Sequence, residues 1–337
     1  MSASSPERLA LAVLNPGGRD PEQSFAAPGS LLPEAGGHPP INYHAYAACT
    51  GGGFYRDAAR IPRDQRAVLL LLRRDLKKAL RVLEGLRAEG KTVAVSLKES
   101  GRHQVAALFA GEPERLRWFR ELCGRADFAL ASTPELVPFY RGAGARRACF
   151  VPTPYPVDRP EWDFSQPPES RRGVFIGTRE FDVPSRNHLA ALLAARELGE
   201  PVTVINRDGR CGRRMLEALG YPAGGLRLVE GPLPYPEYLR LMGSHRLVFQ
   251  LDRSGVPGQV AGDALLCRVP CVGGDGAVDR LVYPPWSGSD ADGFHGVETA
   301  RRVLDGEVFP FFERALERIS FEVIAASLTR AFRRSGD

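Results

Sequence analysis

The sequence predicts an α/β protein made of two doubly wound halves. Three observations carry that expectation. Short apolar runs alternate with longer segments of helical spacing, as in parallel strands joined by crossover helices. The alternation breaks once, between 151 and 172, where prolines stand at 152, 154, 156, 160, 167 and 168. At 337 residues the chain is also longer than one ordinary domain.

Taken in order, Leu9 to Leu14 reads as a strand running into Asn15-Pro16-Gly17-Gly18. Residues 16–56 are rich in Gly, Pro and Ala without a period, so a long irregular stretch is expected there. Val68 to Leu72 reads as a buried strand. Leu76, Ala79, Leu80, Leu83 and Leu86 then recur at helical spacing, with Gly90 placed to stop the helix. Thr92 to Leu97 is a strand ending in Lys98-Glu99-Ser100-Gly101, and a helix through Arg115 to Cys123 precedes a strand at Phe128 to Ala131. Past the prolines the series resumes with a strand at Val174 to Ile176 and a helix from Asn187 to Leu198. Strands follow at Val202 to Ile205, Leu226 to Val229 and Leu247 to Gln250. A glycine-rich loop, a helix from about Gly262 and a last strand at Val269 to Val272 complete the second half. Phe311 to Arg334 is amphipathic and helical. The expected domains are 1–155, a proline-rich linker 156–172, 173–310, and a closing helical segment 311–337.

Composition narrows the function. With 43% hydrophobic and 25% charged residues the chain is ordinary globular protein. Its longest strongly apolar run, Ala67 to Leu72, is far short of the ~20 residues of a membrane span. The opening residues lack a signal-peptide pattern, and the six cysteines are scattered without a CxxC pair. A cytoplasmic protein with reduced thiols is expected, Cys267 and Cys271 filling core. A net charge of +5 suits an anionic small ligand or an acidic membrane face and does not by itself indicate nucleic acid. No GxGxxG follows the first strand, which argues against a dinucleotide enzyme.

The most informative segment is Arg253 to Gly274, RSGVPGQVAGDALLCRVPCVGG. Gly255 and Gly258 leave backbone bare at a helix entrance, where free N–H groups and the dipole favour a phosphate. Asp263, expected in the first helical turn, would either accept from a ribose diol or merely complement the dipole. The segment resembles the donor-binding signature of retaining GT-B glycosyltransferases, the large family four. Gly258 stands for the loop glycine, Asp263-Ala264 for the Glu-Ala pair and Val269-Pro270-Cys271-Val272 for the following strand. The segments 173–196, 228–255 and 126–158 resemble the family's neighbouring elements in the right order.

The resemblance implies a GT-B fold: two Rossmann-like domains facing across a cleft, with the C-terminal helix crossing back to the first. It implies a nucleoside-diphosphate sugar as co-substrate, UDP- or GDP-linked, with no further cofactor, no obligatory metal and retention at the anomeric carbon. The chain departs from the family in one place: eight residues before Asp263 stands Gly255 where the family has an acid, and Asp252 is out of register.

The resemblance also ranks the candidate residues. Arg179 and Arg186 would neutralise the leaving diphosphate, with His103 as a further catalytic candidate. Donor contacts are expected from Gly177, Asn187, Asn206, Gly231, Pro232, Gly255, Pro257, Gly258, Gln259, Val260 and Asp263. In the first half, His44, Gly51 and Gly52, as a glycine run before a helix, compete with Gly17-Gly18 for an acceptor or phosphate loop. Lys98 and Glu99 take the place where the family often has His-Asp. The acceptor is open between a glycan, a lipid, a small molecule and a modified DNA base, and a weakly active scaffold protein that binds a nucleotide sugar is the non-enzymatic alternative.

Overall fold

A computed structural model describes residues 9–34, 36–288 and 294–334. The outermost residues of the first and last expected segments, 1–8 and 335–337, lie outside them. The chain divides into two compact units: the chain through Asp158 together with everything from Ile319 onward, and Arg159–Arg318.

The first unit contains β1 (Leu11–Leu14), β2 (Gln23–Ser24), α1 (Asn42–Cys49), β3 (Gly53–Tyr55), β4 (Ala67–Leu72), α2 (Leu76–Ala88), β5 (Thr92–Leu97), α3 (Arg102–Phe109), α4 (Pro113–Arg125), β6 (Phe128–Ala131), α5 (Leu136–Gly142) and β7 (Ala148–Phe150). Its sheet runs β2-β3-β1-β4-β5-β6-β7, parallel except for β2 against β3. All six residues of β4 are buried, as a central parallel strand covered on both faces requires. The helix α2 shows how the sequence pattern works locally. The Asp75 carboxylate accepts from the Lys78 amide at 2.9 Å, five apolar residues form the buried stripe, and Gly90 at φ +71° lets the chain turn away.

The second unit contains β8 (Val174–Ile176), α6 (His188–Arg196), β9 (Val202–Asn206), α7 (Gly209–Ala218), β10 (Leu226–Glu230), α8 (Tyr235–Gly243), β11 (Leu247–Phe249), α9 (Gln259–Leu266), β12 (Cys271–Val272), α10 (Ala277–Val282), α11 (Phe294–Leu304) and α12 (Phe311–Ile319), whose last residue begins the chain's return to the first unit. The sheet is wholly parallel in the order β10-β9-β8-β11-β12. The final helix, α13 (Phe321–Arg333), belongs to the first unit.

Four features differ from the sequence expectation. Residues 16–56 are not irregular throughout, for they hold β2, α1 and β3. Six of the eight residues of α1 are buried, so it has no polar face and no apolar period to read. The tail is two helices, broken at Ser320, whose hydroxyl caps α13. The linker expected at 156–172 is packed into the second unit from Arg159 on. There the Phe164 amide donates to the Leu266 carbonyl at 2.8 Å, and Arg171 donates to the carbonyls of Cys267 and Arg268. Finally, α9 starts at Gln259 and not near Gly262, which moves Asp263 from the first turn to the second. All six cysteines are free thiols, and among the described residues no helix is long and apolar enough to cross a membrane.

One face of the first sheet is covered by α1 and α13 together: Phe321, Ile324, Leu328 and Phe332 pack with Leu11, Val13, Leu69 and Leu130. The side chain of Phe321 is 1% exposed. Phe321→Ala is expected to cost the first unit about 3–5 kcal/mol in urea unfolding, whereas an equally large loss from Val308→Ala, at 90% exposure, would contradict this account of the core.

Candidate functional site

In an open parallel sheet, ligands bind beyond the carboxyl ends of the strands where the chain reverses its winding, because the loops there part. In the second unit that place lies between β8 and β11. Strands β9 and β10 follow to one side of β8, while β11 and β12 lie on the other. The two loops that meet there, residues 177–187 and 250–258, carry most of the second-unit residues singled out from the sequence.

They are tied to each other at every turn. Arg186 forms an ion pair with Asp252, the Asn187 amide nitrogen donates to the Leu251 carbonyl at 2.9 Å, and the Arg253 amide donates to the Ser185 carbonyl at 2.7 Å. The hydroxyls of Ser185 and Ser254 lie 3.0 Å apart. Asn187, at φ +48°, adopts the left-handed conformation that asparagine tolerates and opens α6. Gly177 is glycine because a Cβ there would collide with Val260 in the first turn of α9.

A second set of ties comes from a segment the sequence reading did not single out, Gly273 to Asp279. The Gly255 amide donates to Asp275 Oδ1 at 2.7 Å, so this backbone donor, expected to meet a phosphate, is taken by a carboxylate. The amides of Ala277 and Val278 donate to the carbonyls of Val256 and Pro257. Pro257 itself carries no N–H to offer an anion. Gly258 is the N-cap of α9 at φ +94°, and a side chain there would strike Asp279 and Val278. Asp279 is fully buried, and its Oδ1 accepts from Gln250 at 2.8 Å. Burial, then the neighbouring charges of Asp252 and Asp275, push its carboxyl up to about 7; its own amide and Gln250 pull only partly the other way. Among the described residues no group of three His, Cys, Asp or Glu side chains is arranged to hold a metal ion.

Asp263 is 0% exposed, so it does not reach solvent as a ribose ligand at a helix entrance would. Its Oδ1 accepts from the Tyr235 hydroxyl at 2.6 Å, while its Oδ2 is buried without a hydrogen bond. Burial raises its carboxyl to about 7 against the opposing effects of Tyr235, Arg179, Tyr238 and Gln259. The Tyr238 hydroxyl is near enough to act on that charge without hydrogen-bond geometry. Arg179 lies over the Tyr238 ring at 5.0 Å. Burial works against its charge, but Tyr238, Asp263 and Glu180 outweigh it and hold the guanidinium above its usual pKa. Arg179, Tyr238, Asp263 and Tyr235 therefore form one group. The two tyrosines, missed in the sequence, lie three residues apart on one face of α8. Asn206, Gly231 and Pro232 lie farther along the same edge. Asn206 bonds the Gly209 carbonyl and Glu230, and Gly231 turns at φ +87° with open space about it.

The first-unit candidates do not gather as expected. Gly51 and Gly52 follow α1 and precede β3, which puts them at the amino edge of the parallel strands and at a helix carboxyl end, the wrong polarity for an anion. Gly52 is required because a Cβ would strike the Leu11 backbone. His44 is buried, stacked on Phe54 and on His38 at 3.7 and 3.8 Å, with Nε2 against the Pro21 carbonyl; burial, and then His38, depress its pKa to about 4. His103 is exposed in the first turn of α3, and Glu99 is exposed and accepts from Gln104. Lys98 alone lies at the carboxyl edge in useful company. It pairs with Asp20 at 3.4 Å, and Asp20 in turn accepts from Asn15 at 2.8 Å. Asn15, directly after β1, was passed over as part of a turn, although a polar residue at a strand's carboxyl end is itself the signal.

No protein-family model matches the sequence, and no curated protein matches it. Solved structures do. The sucrose-phosphate synthase of Thermosynechococcus elongatus aligns at a TM-score of 0.59 and 16% identity over 96% of this chain and 98% of its own. HepE of Anabaena, solved with UDP and glucose, aligns at 0.54 and 15% over 79% and 78%. The UDP-forming α,α-trehalose-phosphate synthase of Burkholderia xenovorans, solved with glucose-6-phosphate, aligns at 0.58 and 14% over 79% and 72%. These neighbours are GT-B glycosyltransferases, and the chain has the GT-B fold.

Asp263 and Asp279 hold protons in the folded chain up to about pH 7, which they release near pH 4 once unfolded. The folded state thus binds more protons between those limits, and stability falls as pH rises toward 7, by up to about 1.4 kcal/mol per pH unit for each group. Asp279→Asn, which keeps an acceptor for Gln250, is expected to flatten that slope and to raise the melting temperature at pH 8. A variant with the wild-type slope would show that Asp279 ionises in its ordinary range.

Proposed function

We propose that the protein is a glycosyltransferase that moves a sugar from a nucleoside-diphosphate sugar to an acceptor hydroxyl with retention at the anomeric carbon. The observation that carries the reading is the convergence of Arg179, Arg186, the α9 entrance and the Asp263 group at the reversal point of the second sheet. Support comes from the neighbours of the same fold, among them proteins solved with UDP and glucose or named as UDP-forming.

In this reading the second unit binds the donor. The first-turn amides of α9, which no intrahelical carbonyl can satisfy, face the diphosphate. Arg179, partly withdrawn from water, and Arg186, released from Asp252, meet the charge that develops as the sugar–phosphate bond breaks. The acceptor oxygen bonds to the anomeric carbon, and its proton passes to the departing phosphate oxygen, so no side-chain base is required. UDP- and GDP-linked sugars are the donors proposed, without a metal, and the first unit is assigned the acceptor through the carboxyl-edge group Asn15, Asp20 and Lys98. A second reading has a specific observation in its favour: with Arg186 on Asp252 and the Gly255 amide on Asp275, the donor loop is already satisfied, which suits a nucleotide-sugar binder of low turnover.

The test is a melting-temperature series of the full chain with UDP, GDP, UDP-glucose and GDP-mannose. At a hundred times Kd a bound ligand stabilises by about 2.7 kcal/mol. A rise with one nucleotide is expected, and Arg186→Ala and Arg179→Ala should each weaken it at least tenfold. Release of free nucleotide from the sugar conjugate separates an enzyme from a binder. If none of the four ligands stabilises the chain, the donor assignment fails.

A further inference from the structure

The basic residues at the start of α2 are spent on nothing inside the molecule. Arg73 and Arg74 leave β4, and Lys77, Lys78 and Arg81 follow on the side of α2 opposite the buried Leu76, Leu80 and Leu83; all five bases are exposed. Elsewhere in the first unit bases find acids: Arg60 meets Glu22, Arg87 meets Asp127, and Arg125 meets Glu84 and Glu121. Among the described residues none of the five forms an ion pair. The first turn of α2 holds no acid, and the Asp75 carboxylate ahead of it is turned onto the Lys78 amide at 2.9 Å. The acids of the helix packed beside it, Glu114 and Glu121 of α4, are held by Arg117 and Arg125. The placement is unfavourable in two ways. Arg74 stands three and four residues before Lys77 and Lys78, and Lys77 stands four before Arg81, so like charges face each other across one turn. The amino end of a helix is also its positive end, where bases are of the wrong sign. A face that costs helix stability and meets no acid within the chain is complementary to an anion outside it.

We infer that this face docks the protein on an anionic lipid surface. Lipid headgroups present many phosphates in a plane, and the convex outer side of a helix can set all its bases against a plane at once. The five bases between 73 and 81 have the density, about four to eight Lys and Arg on one short segment, that suits an acidic bilayer. The apolar side of α2 is used up in the core, so the contact is electrostatic, without insertion, and is weakened by salt. A nucleic acid suits the face less well. Single strands ask for aromatic platforms, and Trp118 beside the bases is half-buried with the Lys77 ammonium over its ring at 5.9 Å. In the sheet β4 lies between β1 and β5, so the face borders the carboxyl edge that carries Asn15 and Lys98. The inference concerns the first unit and does not depend on the donor assignment in the second.

The experiment is sedimentation of the full chain with vesicles of phosphatidylcholine and of a phosphatidylcholine–phosphatidylglycerol mixture, at low and high salt. Binding to the mixed vesicles alone, reversed by high salt, is expected. A base near such a surface is worth about fivefold in partition. Lys77→Gln/Lys78→Gln/Arg81→Gln should therefore lose about a hundredfold, while its melting temperature stays level or rises as the opposed charges leave. Arg73→Gln/Arg74→Gln, outside the helix, reads the same face a second time and should lose about twentyfold. A control variant, Arg60→Gln/Arg117→Gln/Arg301→Gln, takes three exposed bases from ion pairs elsewhere and lowers the net charge equally; it should partition nearly as the wild type does. If control and α2 variants lose alike, net charge and not this face is responsible, and the inference falls. It falls too if the wild type ignores the mixed vesicles. The same proteins are run against a single-stranded and a duplex oligonucleotide: binding that exceeds vesicle binding at equal phosphate concentration, and that the α2 variants lose, gives the face to a nucleic acid and overturns the inference.

Discussion

A carboxylate taken out of water must find a donor, and this requirement organises the second unit. Asp252 finds Arg186 and the Ser254 amide, Asp275 finds the amide of Gly255, Asp279 finds Gln250, and Asp263 finds Tyr235. Each of these partners sits in or beside a loop leaving the carboxyl edge of the sheet. Breaking one such pair would leave a buried polar group unmatched at a cost of about 1–3 kcal/mol, so the loops are fixed as a set. Their glycines follow from the same constraint, for Gly258, Gly274 and Gly276 all lie where a Cβ would meet Asp279. The loop that resembles a phosphate cradle is thus shaped first by internal acids.

This explains which parts of the molecule were legible in the sequence. The strands β4, β5, β6, β8 and β9 were readable because central parallel strands are continuous apolar runs, and α2 because one face of it meets solvent. The helix α1 was hidden by the same logic reversed: buried nearly all round, it has no period. The candidate site was half legible. Arg179, Arg186, Asn187 and the loop through Gly258 could be placed by order along the chain. Tyr235, Tyr238, Asp275 and Asp279 could not, since their roles depend on α8 and α10 packing beside α9, a contact between segments far apart in sequence. The first unit misled for a related reason. A glycine run reads alike before and after a helix, and only the direction of the helix decides whether its end attracts an anion.

The absent acid at position 255 acquires a physical account from the same network. A residue with a Cβ is disfavoured there by the backbone itself, which turns at φ +59°. A carboxylate is nonetheless present at that point, because Asp275 brings one to within hydrogen-bond distance of the Gly255 amide from twenty residues downstream. Likewise the shortened acid at 263 is extended by a phenol from α8. At the first place the carboxylate that the segment does not carry is supplied through a second element of the fold, and at the second a neutral hydroxyl is. A motif counted along the chain registers two departures, while the folded loops keep an oxygen acceptor at one position and a polarised hydroxyl at the other. Such substitution is possible because a parallel sheet delivers all its carboxyl ends to one edge, where residues from α8, α9 and α10 become neighbours irrespective of their spacing in the sequence.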